Sequence, residues 1–139
     1  MFEVLEHIVN TDHVLEELYR VLKPQGVLII STPNLASWIN RLLILLDMSP
    51  YNYNVSFKYP IHGPKCNLAP YGHIRLYTPK LLAKHLKAVG FQRVEIKGLL
   101  TSYGASNALT RSISTLLSAL LSAIRPHLAP DILAIAIKI

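Results

Sequence analysis

The feature that most constrains this chain is a change of period at Lys23-Pro24-Gln25-Gly26. Before it, Val14, Leu15, Leu18, Val21 and Leu22 recur at spacings of three and four behind a capping Asp12, the pattern of an amphipathic helix. After it, Val27-Leu28-Ile29-Ile30-Ser31-Thr32 runs without the polar alternation of a strand that has one face in water. Proline cannot continue the helix and glycine permits the reversal. A helix that turns directly into a continuous apolar strand predicts an α/β fold, with a parallel sheet covered on both faces and this strand fully buried.

The rest of the chain extends the same order. Pro33-Asn34 ends the strand, and Leu35, Trp38, Ile39, Leu42, Leu43 and Leu46 mark one face of a second helix to about Asp47. Residues 48–72 hold Tyr51, Tyr53, Tyr59 and Tyr71 with four prolines and no sustained period, although Val55-Ser56-Phe57 could pair briefly; a loop of this length is functional or disordered. Thr78-Pro79 opens a third helix whose face is Leu82, Leu86 and Val89, and Gly90 closes it. Residues 91–97 alternate, with Val94 and Ile96 opposite Arg93, Glu95 and Lys97, as in a half-exposed strand at a sheet edge. Leu109, Ile113, Leu116, Leu117, Leu120, Leu121 and Ile124 then form a helical face, read as core packing or a dimer contact in preference to a membrane surface, and residues 132–137 form a final buried strand.

Composition excludes several classes. With 139 residues the chain has room for one core, and 51% hydrophobic against 16% charged residues excludes a disordered tail. The apolar helix is interrupted by Ser118 and Ser122 and is far shorter than the roughly 20 residues that span a bilayer. Cys66 is the only cysteine and no signal-type start is present, which points to a reducing, cytoplasmic setting. Glu3, Glu6, Asp12, Glu16 and Glu17 concentrate acidity at the start and leave the remainder basic within a net charge of +6. The basic residues are scattered, so a solvated surface outweighs nucleic-acid binding, which stays open.

Three stretches in register carry a resemblance: Phe2-Glu3-Val4-Leu5-Glu6-His7-Ile8, then Leu18-Tyr19-Arg20-Val21-Leu22-Lys23-Pro24-Gln25-Gly26, then Gly72-His73-Ile74-Arg75-Leu76-Tyr77-Thr78 before a helix ending Gly90-Phe91. Together they resemble the carboxy-terminal part of class I S-adenosylmethionine-dependent methyltransferases over residues 1 to about 98. The resemblance implies a Rossmann-like sheet of order 3-2-1-4-5-7-6 with an antiparallel seventh strand, of which a single partial domain of residues 1–139 retains strands 5, 7 and 6 with their covering helices. Its parts would be residues 1–47, the loop 48–72, and residues 73–139. The fourth strand would have just ended at Met1, which looks like an internal methionine of a longer reading frame. The edge of strand 27–32 would then lack its neighbour, an association hazard that a complementing chain or a homodimer would relieve. The family's glycine-rich turn and ribose-binding acid, which make up most of the cofactor-binding half, find no counterpart, and no G-x-G pair occurs. Gln25 stands where the family has a glycine, which is dispensable if φ is negative there.

Glu3, Glu6 and His7 stand at i, i+3 and i+4, so one helical turn would project two carboxylates and an imidazole from one face, a metal or acid–base cluster. The resemblance extends to the E-x-x-E-H segment of ubiquinone-pathway and small-RNA methyltransferases, in which a downstream histidine completes a metal site; His73 is the matching residue. On this reading Glu3, Glu6, His7 and His73 hold Mg2+ or another divalent ion, Glu6 and His7 are the catalytic pair, and Phe2 and Glu3 lie beside S-adenosylmethionine. The alternative is that the carboxylates are surface groups and His7 a packed histidine. His73, Arg75 and Tyr77 would alternate on one side of an extended segment and, with Pro33 and Asn34 at the strand's carboxyl end, bind substrate, or else serve as structural caps. The functional expectation is methyl transfer to a small-molecule acceptor. Its rivals are an inactive remnant that scaffolds a full-length relative, and an RNA-directed methyltransferase.

Overall fold

The computed structural model describes residues 1–59, 61, 72–100 and 108–139. Tyr71, Cys66 and most of the second half of the tyrosine-rich loop lie outside these residues. The elements are a 3-10 turn Leu5–His7, α1 Thr11–Val21, β1 Val27–Pro33, α2 Trp38–Leu45, α3 Pro79–Val89, β2 Arg93–Leu99, α4 Ala108–Ile124, a second 3-10 turn Pro126–Leu128, and β3 Asp131–Ile137. The sheet order is β1-β3-β2, with β3 antiparallel to both neighbours. β1 and β2 therefore run in the same direction, as the helical crossover between them requires, and β3 inserts between them in reverse. Order and direction match those implied for strands 5, 7 and 6.

One face of the sheet is covered. Leu28 and Ile30 of β1 align with Ala136 and Ala134 of β3 and with Val94 and Ile96 of β2, and this face packs against Leu15 of α1 and Leu82 and Leu86 of α3. The alanines of the central strand leave room for the helix layer, and each fully buried leucine contributes about 1.5–3 kcal/mol relative to exposure. Lys138 ties the layers together by donating from Nζ to the carbonyls of Tyr19 (2.7 Å) and Leu22 (2.8 Å) at the end of α1.

The opposite face departs from expectation. Val27 is 50% and Ile29 40% exposed, so β1 is neither fully buried nor covered on both sides among the described residues. Continuous apolar sequence reports what a strand is suited to touch, and here the partner layer is not supplied by the described residues. The outer edge of β1 is better covered than expected. Met1 donates its terminal amine to the Ile29 carbonyl at 2.8 Å, Ser31 N donates to the Met1 carbonyl at 3.0 Å, and Glu3 N donates to the Ser31 carbonyl at 3.1 Å. The first three residues thus pair in parallel with β1 instead of lying beyond a finished strand.

α4 also reverses its expected packing. Ser118 is buried and accepts from Trp38 Nε1 at 2.9 Å, whereas Leu109, Ile113, Leu116, Leu120 and Ile124, on the opposite side, are 56–75% exposed. Among the described residues that stripe does not pack into the core, which leaves the dimer contact as its expected role. No helix among the described residues is long and apolar enough to cross a membrane.

Two local features refine the sequence reading. α1 is capped by Asn10, whose side chain accepts from His13 N at 3.1 Å, two residues before the expected Asp12. Gln25 has φ +65°, so the glycine position before β1 does need the left-handed region. Gln25→Gly is expected to stabilise the chain by about 0.5–1 kcal/mol, read as a higher urea midpoint with an unchanged slope.

Candidate functional site

Glu3 has φ +50° and turns the chain out of its pairing with β1 into the 3-10 turn Leu5–His7. The turn puts Glu6 inward and His7 at the rim. Glu6 is fully buried, and its backbone carbonyl accepts from both Ile74 N (2.8 Å) and Arg75 N (3.0 Å), which fastens residues 72–77 alongside it. Of the carboxylate oxygens, Oε2 accepts from Thr32 Oγ1 at 3.0 Å, while Oε1 has no hydrogen-bond partner among the described residues and lies 3.7 Å from His7 Nε2. Burial raises the Glu6 pKa above its ordinary value, against the lowering effects of its backbone and Thr32 hydrogen bonds.

The two imidazoles meet over this carboxylate. His7 and His73 rings stand edge to face, with centroids 4.7 Å apart. His7 Nδ1 lies 3.1 Å from the Gly72 carbonyl and His73 Nδ1 lies 3.2 Å from the Asn52 carbonyl. A carbonyl only accepts, so in each neutral ring Nδ1 carries the proton and Nε2 the lone pair. Burial lowers the His73 pKa and so disfavours its protonated form. One donor atom from each of Glu6, His7 and His73 falls within 4.8 Å of the others. A buried carboxylate oxygen with no hydrogen-bond partner, facing two imidazoles oriented by backbone carbonyls, is a donor set that fits a divalent cation.

The other sequence candidates take different places. Glu3 is not in this group: its Oε1 accepts from Ser31 Oγ at 2.6 Å, because the positive φ turns it off the face shared by Glu6 and His7. Phe2 bridges to Ser31 and leaves its ring exposed. Arg75 donates to the Val9 carbonyl at 2.8 Å. Tyr77 is buried, with its pKa raised by burial, and its hydroxyl lies 3.1 Å from His85 Nδ1. Arg75 and Tyr77 line one cavity together with His85, whereas His73 joins Glu6 and His7 instead. Pro33 ends β1 opposite Asp131, and Asn34 is a buried hub: Nδ2 donates to the carbonyls of His127 and Ala129, each at 2.8 Å, and Oδ1 accepts from Ala36 N at 2.9 Å. Sequence reasoning missed His85, whose Nε2 is 2.7 Å from Asp12 Oδ1; a histidine on a helix carries no signal of a partner on another helix.

Residues 1–96 match the model of a methyltransferase domain family. A search of curated proteins finds no significant match. Among solved structures, the chain superposes on a SAM-dependent methyltransferase from Thermotoga maritima with TM-score 0.56 and 14% identity, over 100% of this chain and 54% of that one. A SAM-dependent methyltransferase from Archaeoglobus fulgidus gives TM-score 0.51 and 18% identity, over 99% and 57%. The small RNA methyltransferase HEN1 gives 0.53 and 19%, over 99% of this chain and 13% of that one. The chain thus spans little more than half the length of the first two structures, and at these identities the likeness is one of fold. With the family matched over more than half the sequence and strand order β1-β3-β2 in agreement, the chain belongs to the methyltransferase domain family and has the fold of the class I S-adenosylmethionine-dependent enzymes.

Proposed function

We propose that this protein takes part in methyl transfer from S-adenosylmethionine to a hydroxyl of a small-molecule acceptor, with Glu6, His7 and His73 holding a divalent cation beside that hydroxyl. The observation that carries the reading is the convergence of Glu6 Oε1, which is buried and lacks a hydrogen-bond partner, with the two imidazoles. A divalent ion held there supplies Lewis-acid chemistry that lowers the pKa of the acceptor hydroxyl. The chain's own part is orientation. Thr32 holds Glu6, the Gly72 and Asn52 carbonyls fix the imidazole tautomers, and the hydrogen bonds from Ile74 and Arg75 to Glu6 keep His73 over the carboxylate. Phe2 and Glu3, at the end of the segment paired with β1, would lie beside the cofactor, while its methionine and ribose groups would be held by another segment or chain.

One observation favours a second reading, in which the chain binds a partner and does no chemistry alone. The sheet face bearing Val27 and Ile29 is open among the described residues. A complementing chain or a second copy would cover it, and we place that assembly in a reducing, cytoplasmic setting.

Titrating S-adenosylmethionine into the purified chain by calorimetry, with and without Mg2+, separates the readings once light scattering has given the assembly state. Saturable binding by a dimer or larger assembly is expected under the first. Absence of binding in every assembly state would leave the chain a scaffolding partner.

A further inference from the structure

A cavity of about 410 Å³ lies where α2, the start of α3 and the second 3-10 turn approach one another, and its polar lining is Arg41, Thr78, Lys80, Arg125 and His127. Among the described residues no acidic side chain lines it. None of these four basic residues enters any of the four ion pairs found among the described residues. The arrangement is electrostatically one-sided for a further reason. Thr78, Pro79 and Lys80 line the cavity, so the positive end of the 11-residue α3 faces it, although Thr78 Oγ1 already takes the Leu81 N–H at 3.2 Å and Pro79 has none. The first turn of α3 contains no acid and carries Lys80, a cation where the helix field disfavours one.

The walls are held firmly. Arg41 Nε donates to the Ala36 carbonyl at 2.8 Å, which uses one of the guanidinium's five donors and sets the group at the rim. Asn34 grips the His127 carbonyl from beneath. We propose that this cavity is an anion site that takes a phosphate group, because two guanidiniums, an ammonium and a helix N-terminus match the charge and the several acceptor oxygens of a phosphate better than those of a carboxylate.

The identity of the ligand rests on the methyl-transfer reading: the phosphate then belongs to the acceptor. His73 of the metal cluster and Thr78 of the cavity are five residues apart on one segment, so their Cα atoms lie within about 17 Å. The acceptor is accordingly a phosphorylated small molecule.

The test is a calorimetric titration of pyrophosphate, with acetate in parallel, into the full chain at low salt. Pyrophosphate is expected to bind saturably and acetate weakly. Arg125→Ala and Lys80→Ala, both at exposed positions and checked for fold by circular dichroism, are each expected to weaken pyrophosphate about tenfold. Lys23→Ala, which removes an equal charge in the turn before β1, is expected to leave it unchanged. Absence of saturable binding, or an equal loss in Lys23→Ala, would overturn the proposal. Pyrophosphate binding in a chain that fails to bind S-adenosylmethionine in every assembly state would keep the anion site and overturn only the methyl-transfer reading.

Discussion

Glu6→Gln is expected to reduce Mn2+ affinity by more than about 100-fold, since removing a ligand charge should exceed the 10–100-fold cost typical of losing a group that merely supports a ligand. The substitution is close in shape, and the glutamine carbonyl can still accept from Thr32, so the loss isolates the charge on the Oε1 side. Calorimetry or the Mn2+ electron paramagnetic resonance signal reads it directly, and an unchanged affinity would remove Glu6 from the proposed site. The same variant should be more stable than the wild type when metal is absent. Burial raises the folded-state pKa of Glu6, so its ionisation penalty is absent below the unfolded value of 4.5 and grows as pH rises through the folded value. The metal-free wild type should therefore lose stability over that interval, and Glu6→Gln should not. His73 acts in the opposite sense: its folded pKa is lowered, so stability falls as pH drops from the ordinary value of 6.5 through the folded value. Divalent metal should reverse the Glu6 effect and raise the melting temperature of the wild type alone.

Asn34→Ala is expected to destabilise the chain by about 3 kcal/mol or more. It leaves the buried Ala129 carbonyl and the part-buried His127 carbonyl and Ala36 amide without their partner, at about 1–3 kcal/mol for a buried group and less for the part-buried ones. Against a total stability of about 5–15 kcal/mol this is a large fraction. Asn34→Asp should be worse, because a carboxylate would face two carbonyl oxygens where an amide now donates. Urea unfolding of both variants checks the ranking, and an alanine variant within about 1 kcal/mol of wild type would refute the hub role.

Asn34 also shows where the sequence reading was right and where it was not. Its place at the carboxyl end of a strand was legible from the turn residues that follow β1. Its use was not, because an amide at such a place serves a ligand or the backbone according to what lies opposite, and here that is residues 127–129, nearly 100 positions away. The cationic cavity has the same origin. Arg41, Lys80, Arg125 and His127 are scattered along the chain and read as a solvated basic surface until three elements bring them together.

Local rules determined α1, α3, the break at Pro24, the glycine cap at Gly90, the alternation in β2, and the pairing of Glu6 with His7, since each is written within a few residues of chain. Tertiary structure alone decided the rest. It brought His73 to Glu6 through backbone bonds across 68 positions, removed Glu3 from that group by a positive φ, turned the polar side of α4 inward, and left Val27 and Ile29 without cover. Hydrophobic periodicity states which side of an element avoids water, but only the approach of distant elements, set by packing and by the demand that buried polar groups be paired, states what that side meets.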